Sequence, residues 1–289
     1  MHAALLKYSN IRKGKLKMKI YDFDAKFIEY AQTWMALHPG LTEKQVEQSY
    51  NEIMLNFLNA PAKWLNGEKP GEYFNRYDQP KDLMKLVEEY DKRDIGLPEP
   101  LYARIVAMGE ACAPQLTRIA SDSDKPESIR ASAIAMLRDI GTDAPRALFV
   151  DLASKCKEPN ELSEMASDIL SASDESVVDE LLSRYETAPE YAQMLILDVC
   201  CNFPQHEGLF DLILNKLRNR PDDRAYYASL LGKLGDVRAI EPLKSFLTLS
   251  DLTYLDYIEL RNAIESLGGD AGDERTFYGD PDYEAMRNI

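Results

Sequence analysis

A spacing of about 32 residues recurs through this chain and constrains its fold more than any other feature. Gly109, Gly141, Ser173, Pro204, Gly235 and Gly268 stand 32, 32, 31, 31 and 33 residues apart. Four positions before these anchors come Ile105, Leu137, Ile169, Cys200, Leu231 and Ile264. Seven or eight positions after the first five come Leu116, Leu148, Leu181, Leu212 and Leu243. A period of this length is the signature of stacked supersecondary units that bury their apolar faces against neighbours. Between anchors the apolar residues recur three and four apart, so each unit reads as helix, tight turn, helix. The stretch Ile129 to Leu137, then Gly141-Thr142-Asp143-Ala144-Pro145, then Leu148, is one example. Gly141 suits the left-handed residue that ends a helix, Asp143 an N-cap, and Pro145 a first helical turn that needs no amide hydrogen.

The unit Leu231-Gly232-Lys233-Leu234-Gly235-Asp236-Val237-Arg238-Ala239-Ile240-Glu241-Pro242-Leu243 resembles the short HEAT-like repeat first noted in phycobilisome lyases. The likeness extends over residues 98–270. It is weakest in the third and fourth units, where Ser173 and Pro204 replace the turn glycine. It implies an all-α fold, a right-handed α-α superhelix (a HEAT-like solenoid). The second helices, near 113–121, 144–155, 176–185, 208–218 and 238–248, would line its concave side. It also implies protein binding, because such families mostly use that groove to hold other proteins.

Four segments are expected: a basic leader over 1–21, a non-repeating helical cap over 22–97, the array over 98–270, and a capping tail over 271–289. In the cap, Phe23, Phe27, Tyr30, Ala31 and Trp34 recur at helical spacing until Pro39-Gly40. Thr42 and Gln45 fit a capping box. Val46, Tyr50, Ile53, Met54, Phe57 and Leu58 mark the next face, and Lys81 to Tyr90 reads as another helix. Between them, Trp64 to Phe74 is the densest run of aromatics and turn formers. Trp64, Tyr73 and Phe74 are the candidate partner-binding residues, as a docking knob of interface-favoured side chains. The other reading of the same run is a turn pinned onto the cap's core. In the tail, Phe277, Tyr278 and Tyr283 are expected to shield the last unit.

The net charge of −15 is uneven. Residues 1–21 hold six basic and no acidic side chains, whereas 98–270 hold 17 basic against 30 acidic. Nucleic-acid affinity rests on Lys and Arg neutralising phosphates, so the array's charge makes nucleic acid an unfavoured partner and a protein or peptide with a basic surface the expected one. Arg118, Arg146, Arg184, Lys216, Arg218, Arg238 and Lys244 fall on or near second helices, and a partial basic stripe there is the requirement of the competing reading, a DNA-glycosylase-like enzyme. A lyase or chaperone for a chromophore-bearing partner is a further alternative, by family analogy alone.

No catalytic signature stands out. The chain has no P-loop, G-x-G-x-x-G, G-x-S-x-G or H-E-x-x-H pattern. Three histidines, His2, His38 and His206, cannot supply the multi-histidine iron site of HEAT-like hydroxylases. Cys112, Cys156, Cys200 and Cys201 lack metal-ligand spacing and read as small buried residues. No cofactor or metal is expected, and the chain reads as a non-enzymatic scaffold. With no secretory pattern at Met1 to Asn10 and no run of 18 apolar residues, a cytoplasmic protein with no membrane partner is expected.

Overall fold

The computed structural model describes residues 18–287, whose regular structure is helical apart from a lone antiparallel bridge between Ala62 and Glu68. Most of the basic leader expected over 1–21 lies outside the described residues. Contacts divide the chain into two compact units that meet in sequence between Ala144 and Pro145.

The N-terminal unit opens with α1 (Phe23–Leu37), whose first turn is capped by Asp22 accepting from the Ala25 amide at 2.8 Å. A short α2 (Glu43–Gln48) carries the Thr42–Gln45 capping box in both directions. Helix α3 (Tyr50–Asn59) ends before Pro61 and packs on α1 and on a 3-10 helix over Pro70–Arg76. Proline at the first turn starts α4 (Pro80–Asp91), α5 (Glu99–Met108) and α6 (Ala113–Ser121), where a missing amide hydrogen costs nothing. Helix α7 (Glu127–Ile140) closes the unit against α5 and α6. The core joins Leu83, Leu86 and Tyr90 of α4 to Leu101 and Ile105 of α5, Leu116 of α6 and Ile134 of α7, each at most 1% exposed.

The C-terminal unit contains α8 (Arg146–Lys155), α9 (Glu161–Ser171), α10 (Ser176–Tyr185), α11 (Glu190–Cys200), α12 (Leu209–Asn219), α13 (Arg224–Leu234), α14 (Ile240–Leu247), α15 (Tyr254–Ser266) and α16 (Pro281–Arg287). The packing follows the sequence period. First helices of successive pairs stack on one another (α9 on α11, α13 on α15), second helix α8 lies on α10, and α9, α11, α13 and α15 each pack on the helix before them. Between α11 and α13 the Tyr226 hydroxyl donates to the Met194 carbonyl at 2.8 Å, and the Lys233 ammonium to the Asp198 carbonyl at 2.8 Å. Tyr227 is buried, so the tyrosine pair packs repeat against repeat.

Turn chemistry explains the period. Gly141 and Gly235 end their helices at φ 70° and 76°, the left-handed region that favours glycine. The residue after the anchor then braces the turn. Asp236 accepts from the Arg238 amide, Asp174 from the Ser176 amide and Thr142 from the Ala144 amide, at 2.9, 2.9 and 3.3 Å. This corrects one expectation: Asp143 caps nothing, and Pro145 is itself the N-cap residue of α8 rather than its first helical residue. After Pro204, the left-handed position moves to Gly208 (φ 87°), immediately before α12. Leu148 and Leu212 are half-buried, and the adjoining Phe149 and Ile213 take the core positions.

The segment after α15 folds back on it. Phe277 is buried against Tyr254 and Tyr257 (ring centroids 5.8 and 4.9 Å), and Asp280 accepts from the Tyr254 amide at 3.0 Å. Tyr283 packs on Tyr254, and Tyr278, though largely exposed, meets Tyr283 edge-on at 6.0 Å.

Candidate binding surface

The aromatic run of the N-terminal unit is built around a tight loop. A 3-10 turn over Lys63–Leu65 leads into Asn66 and Gly67, both left-handed (φ 58° and 89°). The Ala62–Glu68 bridge closes it, with the Ala62 amide donating to the Glu68 carbonyl at 3.0 Å and the Gly67 amide to the Ala62 carbonyl at 2.9 Å. The loop sets the Trp64 ring edge-on to Tyr21 and Phe23 (5.4 and 5.1 Å) and parallel to Phe57 (6.4 Å). Tyr73 and Phe74, from the Pro70–Arg76 helix, also pack on Phe23 (6.0 and 5.4 Å). The Tyr90 hydroxyl donates to the Tyr21 carbonyl at 2.9 Å and ties the chain entering α1 to α4. Burial pushes the Tyr73 and Tyr90 hydroxyls well above the ordinary phenol range.

This arrangement corrects the docking-knob expectation for two of its three residues. Tyr73 and Phe74 are 4% and 1% exposed and form the centre of the aromatic core, so neither is available to a partner. The physical reason is the near-continuous aromatic composition around them: Phe23, Phe57 and Tyr77 need the same shelter from water. Trp64 alone of the three reaches the surface, half-buried, in the wall of a shallow cavity of about 260 Å³. Tyr30, Phe57, Ala60, Pro61 and Pro70 complete its apolar wall, and the Lys26–Glu29 ion pair (2.8 Å) stands on its rim. A second shallow cavity of about 230 Å³ lies where α4, the Asp94–Leu97 loop and α7 meet, with Asp91, Asp94, Ser128 and Ser132 beside Tyr90 and Ile129.

The C-terminal unit offers charge. Residues 145–289 contain 14 basic against 28 acidic side chains, a net of −14, whereas residues 1–144 contain 20 against 21. Nine of those 14 basic groups form ion pairs among the described residues. Several join one repeat to the next: Arg146 reaches Asp174 at 2.7 Å, Arg184 of α10 pairs with Asp151 of α8, Arg220 with Glu190, and Lys233 with Asp198 at 3.2 Å. Burial pushes Asp151 up, but hydrogen bonds and charge from Lys155 and Arg184 outweigh it and hold the carboxyl below its usual range. Hydrogen bonds from Ser176 and Arg146 bring Asp174 down to about 2. Of the seven residues proposed for a basic stripe, Arg146, Arg184, Arg238 and Lys244 are thus engaged with carboxylates, and the Lys216 ammonium sits 4.9 Å over the Tyr185 ring. No signal in the one-dimensional pattern marks these cross-repeat partners, which lie 28 to 35 residues apart.

Groups that could do covalent or metal chemistry are dispersed. Among the described residues no set of three or more His, Cys, Asp or Glu is placed to hold a metal ion. All four cysteines are unlinked. Burial pushes the Cys200 and Cys201 thiols up to about 12, and raises Cys112 and Cys156 too, so thiolate is scarce at neutral pH. His206 bonds Asp179 through Nε2 at 3.0 Å at the repeat turn, and His38 stacks on Trp34. No helix among the described residues is long and apolar enough to cross a membrane.

No family model, curated protein or solved structure matches the chain.

Proposed function

We propose that this protein is a non-enzymatic interaction module: a HEAT-like array whose C-terminal unit binds a protein or peptide with a basic surface. In this reading α8, α10, α12 and α14, the second helices of their pairs, line one side and present carboxylates such as Asp179 and Asp211. The observation that carries it is the combination of a −14 excess with basic side chains already committed to neighbouring repeats. A carboxylate excess attracts cationic partners and speeds their encounter, and a phosphate backbone would be repelled by the same field. The committed Arg146, Arg184, Arg238 and Lys244 also weigh against the glycosylase-like alternative.

The test is capture of partners by the immobilised full chain at about 50 mM and about 500 mM salt, where screening shortens the electrostatic reach severalfold. The partner is expected to elute at the higher salt, and Asp179→Asn with Asp211→Asn to weaken its capture. Equal retention at both salts overturns the electrostatic reading, and a salt-sensitive shift with duplex DNA moves the assignment to the nucleic-acid alternative.

A further inference from the structure

The cleft where α4, the Asp94–Leu97 loop and α7 meet joins apolar walls to carboxylates. Val87 and Ile129, each 4% exposed, line it together with Ile95 and Leu97, and no basic side chain is among its lining residues. The loop is shaped by Asp94, whose left-handed backbone (φ 54°) turns the chain so that the Ile95 amide donates back to the Tyr90 carbonyl at 3.2 Å. Asp91 and Asp94 thus reach the cleft from the end of α4 and its loop, and Ser128 and Ser132 reach it from α7. The Ser132 hydroxyl donates to the Ser128 carbonyl at 2.9 Å and keeps its own lone pairs to accept. Asp24 of α1 adds a third carboxylate at the edge, since a Cβ on Gly96 would lie 2.5 Å from its Oδ2. The neighbouring bases are already committed. Lys92 and Arg93 pair with Glu89 at 3.3 and 3.7 Å, and Lys125 with Glu88 at 2.9 Å. Asp91 acts on the Lys125 ammonium only as a weaker charge behind Glu88. Among the described residues, none of the Asp24, Asp91 and Asp94 carboxylates has a hydrogen bond or a closed ion pair.

We propose that this cleft is a pocket for one arginine side chain of a protein or peptide partner. Charge complementarity selects a cation, because the carboxylates border an apolar floor where an opposite charge is screened less than in open water. Size selects a side chain: a cavity of about 230 Å³ is smaller than the ~300–1,000 Å³ that encloses a whole small molecule. The acceptors then select arginine over lysine. They are spread over α4, its loop and α7, and a planar guanidinium with five N–H donors can reach several of them, whereas an ammonium gathers its three donors at one point. The guanidinium also gives up its water more readily, and its methylene stem covers Val87 and Ile129. The pocket belongs to the N-terminal unit, so it stands or falls separately from the carboxylates of α10 and α12.

The experiment is an NMR titration of the isotope-labelled full chain with the blocked peptide acetyl-Gly-Arg-Gly-amide. Saturable shifts of the amides from Asp91 to Leu97 and from Ser128 to Ser132 are expected, with a dissociation constant on the order of 1 mM for a single anchored side chain. The lysine counterpart of the peptide is expected to bind several-fold more weakly. Asp91→Asn and Asp94→Asn, the latter still at ease in a left-handed backbone, are each expected to weaken the arginine peptide about tenfold. Ser132→Leu, which fills the cleft and leaves the charge alone, is expected to abolish binding. Asp82→Asn removes the same charge from α4 outside the cleft and is expected to change nothing, as is Asp179→Asn with Asp211→Asn. The spectrum of each variant without peptide shows that it is folded. No saturable shift up to about 20 mM, equal affinity for the lysine peptide, or unchanged affinity in both cleft aspartate variants overturns the proposal. So does binding that emerges only when Arg12, Lys13 and Lys15 are replaced by Gln, which gives the cleft to the chain's own basic leader.

Discussion

The two units are built from the same kind of short helix but cohere in different ways. In the N-terminal unit, ahead of its share of the array over 98–144, an irregular set of helices and 3-10 turns closes around large rings: Phe23, Phe57, Tyr73, Phe74, Tyr77 and Tyr90 are all buried. In the C-terminal unit the buried side chains are mostly Leu, Val, Ile and Ala, and each pair repeats the packing of the pair before. The charges diverge too, with 20 basic against 21 acidic side chains in one and 14 against 28 in the other. The contrast teaches that a periodic unit tolerates a large carboxylate excess by linking successive repeats through the few bases it has. The aperiodic stretch before residue 98 concentrates its stability in a handful of rings. The sharpest break to attempt is therefore Phe74→Ala. Emptying a site this well enclosed costs about 3–5 kcal/mol, measured by chemical denaturation, and a loss below about 1 kcal/mol would mean the rings are not the core's keystone.

The corresponding weak point of the periodic unit is a place of close approach, not a large side chain. A Cβ at Gly232 of α13 would lie 3.0 Å from the Ala263 Cα and 3.2 Å from its Cβ, on the facing helix α15. Gly232→Ala gains up to ~1 kcal/mol of helix propensity and loses about 1–3 kcal/mol to crowding, while Gly232→Val adds two methyl groups to the crowding and a β-branch. We expect the valine variant to be destabilised by roughly 2–3 kcal/mol and to have a lower melting temperature than the alanine variant. An alanine variant more stable than the parent would show that the α13–α15 contact has slack.

These two positions also mark what could be read in one dimension. Gly232 sits inside the best-formed repeat, and the second helix there follows from the anchor spacing to within two residues: it was expected at 238–248 and is observed as α14, Ile240–Leu247. Where the anchor glycine is missing, the period survives because other atoms do its work. Asp174 braces the turn after Ser173, and Gly208 takes over the left-handed residue after Pro204. Phe74 shows the opposite case. Its neighbours in sequence, Pro70-Gly71 and Trp64, suggest a surface turn, but its burial depends on Phe23, fifty-one residues earlier, and no local pattern encodes that meeting. The cross-repeat ion pairs were illegible for the same reason. Whether Arg146 faces a phosphate or Asp174 depends on how repeats stack, and both choices satisfy the same helical periodicity.

A milder way to sharpen the contrast is to remove one of those links. Asp151 of α8 accepts from Lys155 within its helix and from Arg184 of α10. Its carboxylate is substantially exposed, so Asp151→Asn is expected to cost only about 0–1 kcal/mol, with the effect shrinking as salt rises. A loss of more than about 2 kcal/mol would mean that the inter-repeat pairs behave as buried charges, and that the periodic unit, too, rests on a few concentrated contacts.

The smallest effect is a dependence on acid. Asp174 titrates at about 2 when folded, brought down first by the Ser176 hydroxyl and then by Arg146, against 3.8 for a free aspartate. A carboxyl whose folded value is depressed binds its proton more readily in the unfolded chain. Its contribution is therefore complete above about 3.8 and fades as pH falls toward 2. Because Asp174 is solvent-exposed, the expected readout is its own titration curve followed by NMR, together with a slightly shallower fall of melting temperature with acid in Asp174→Asn. An ordinary titration midpoint near 3.8 would separate Asp174 from both partners and leave the turn after Ser173 without its brace. The period of this unit would then rest there on helix packing alone.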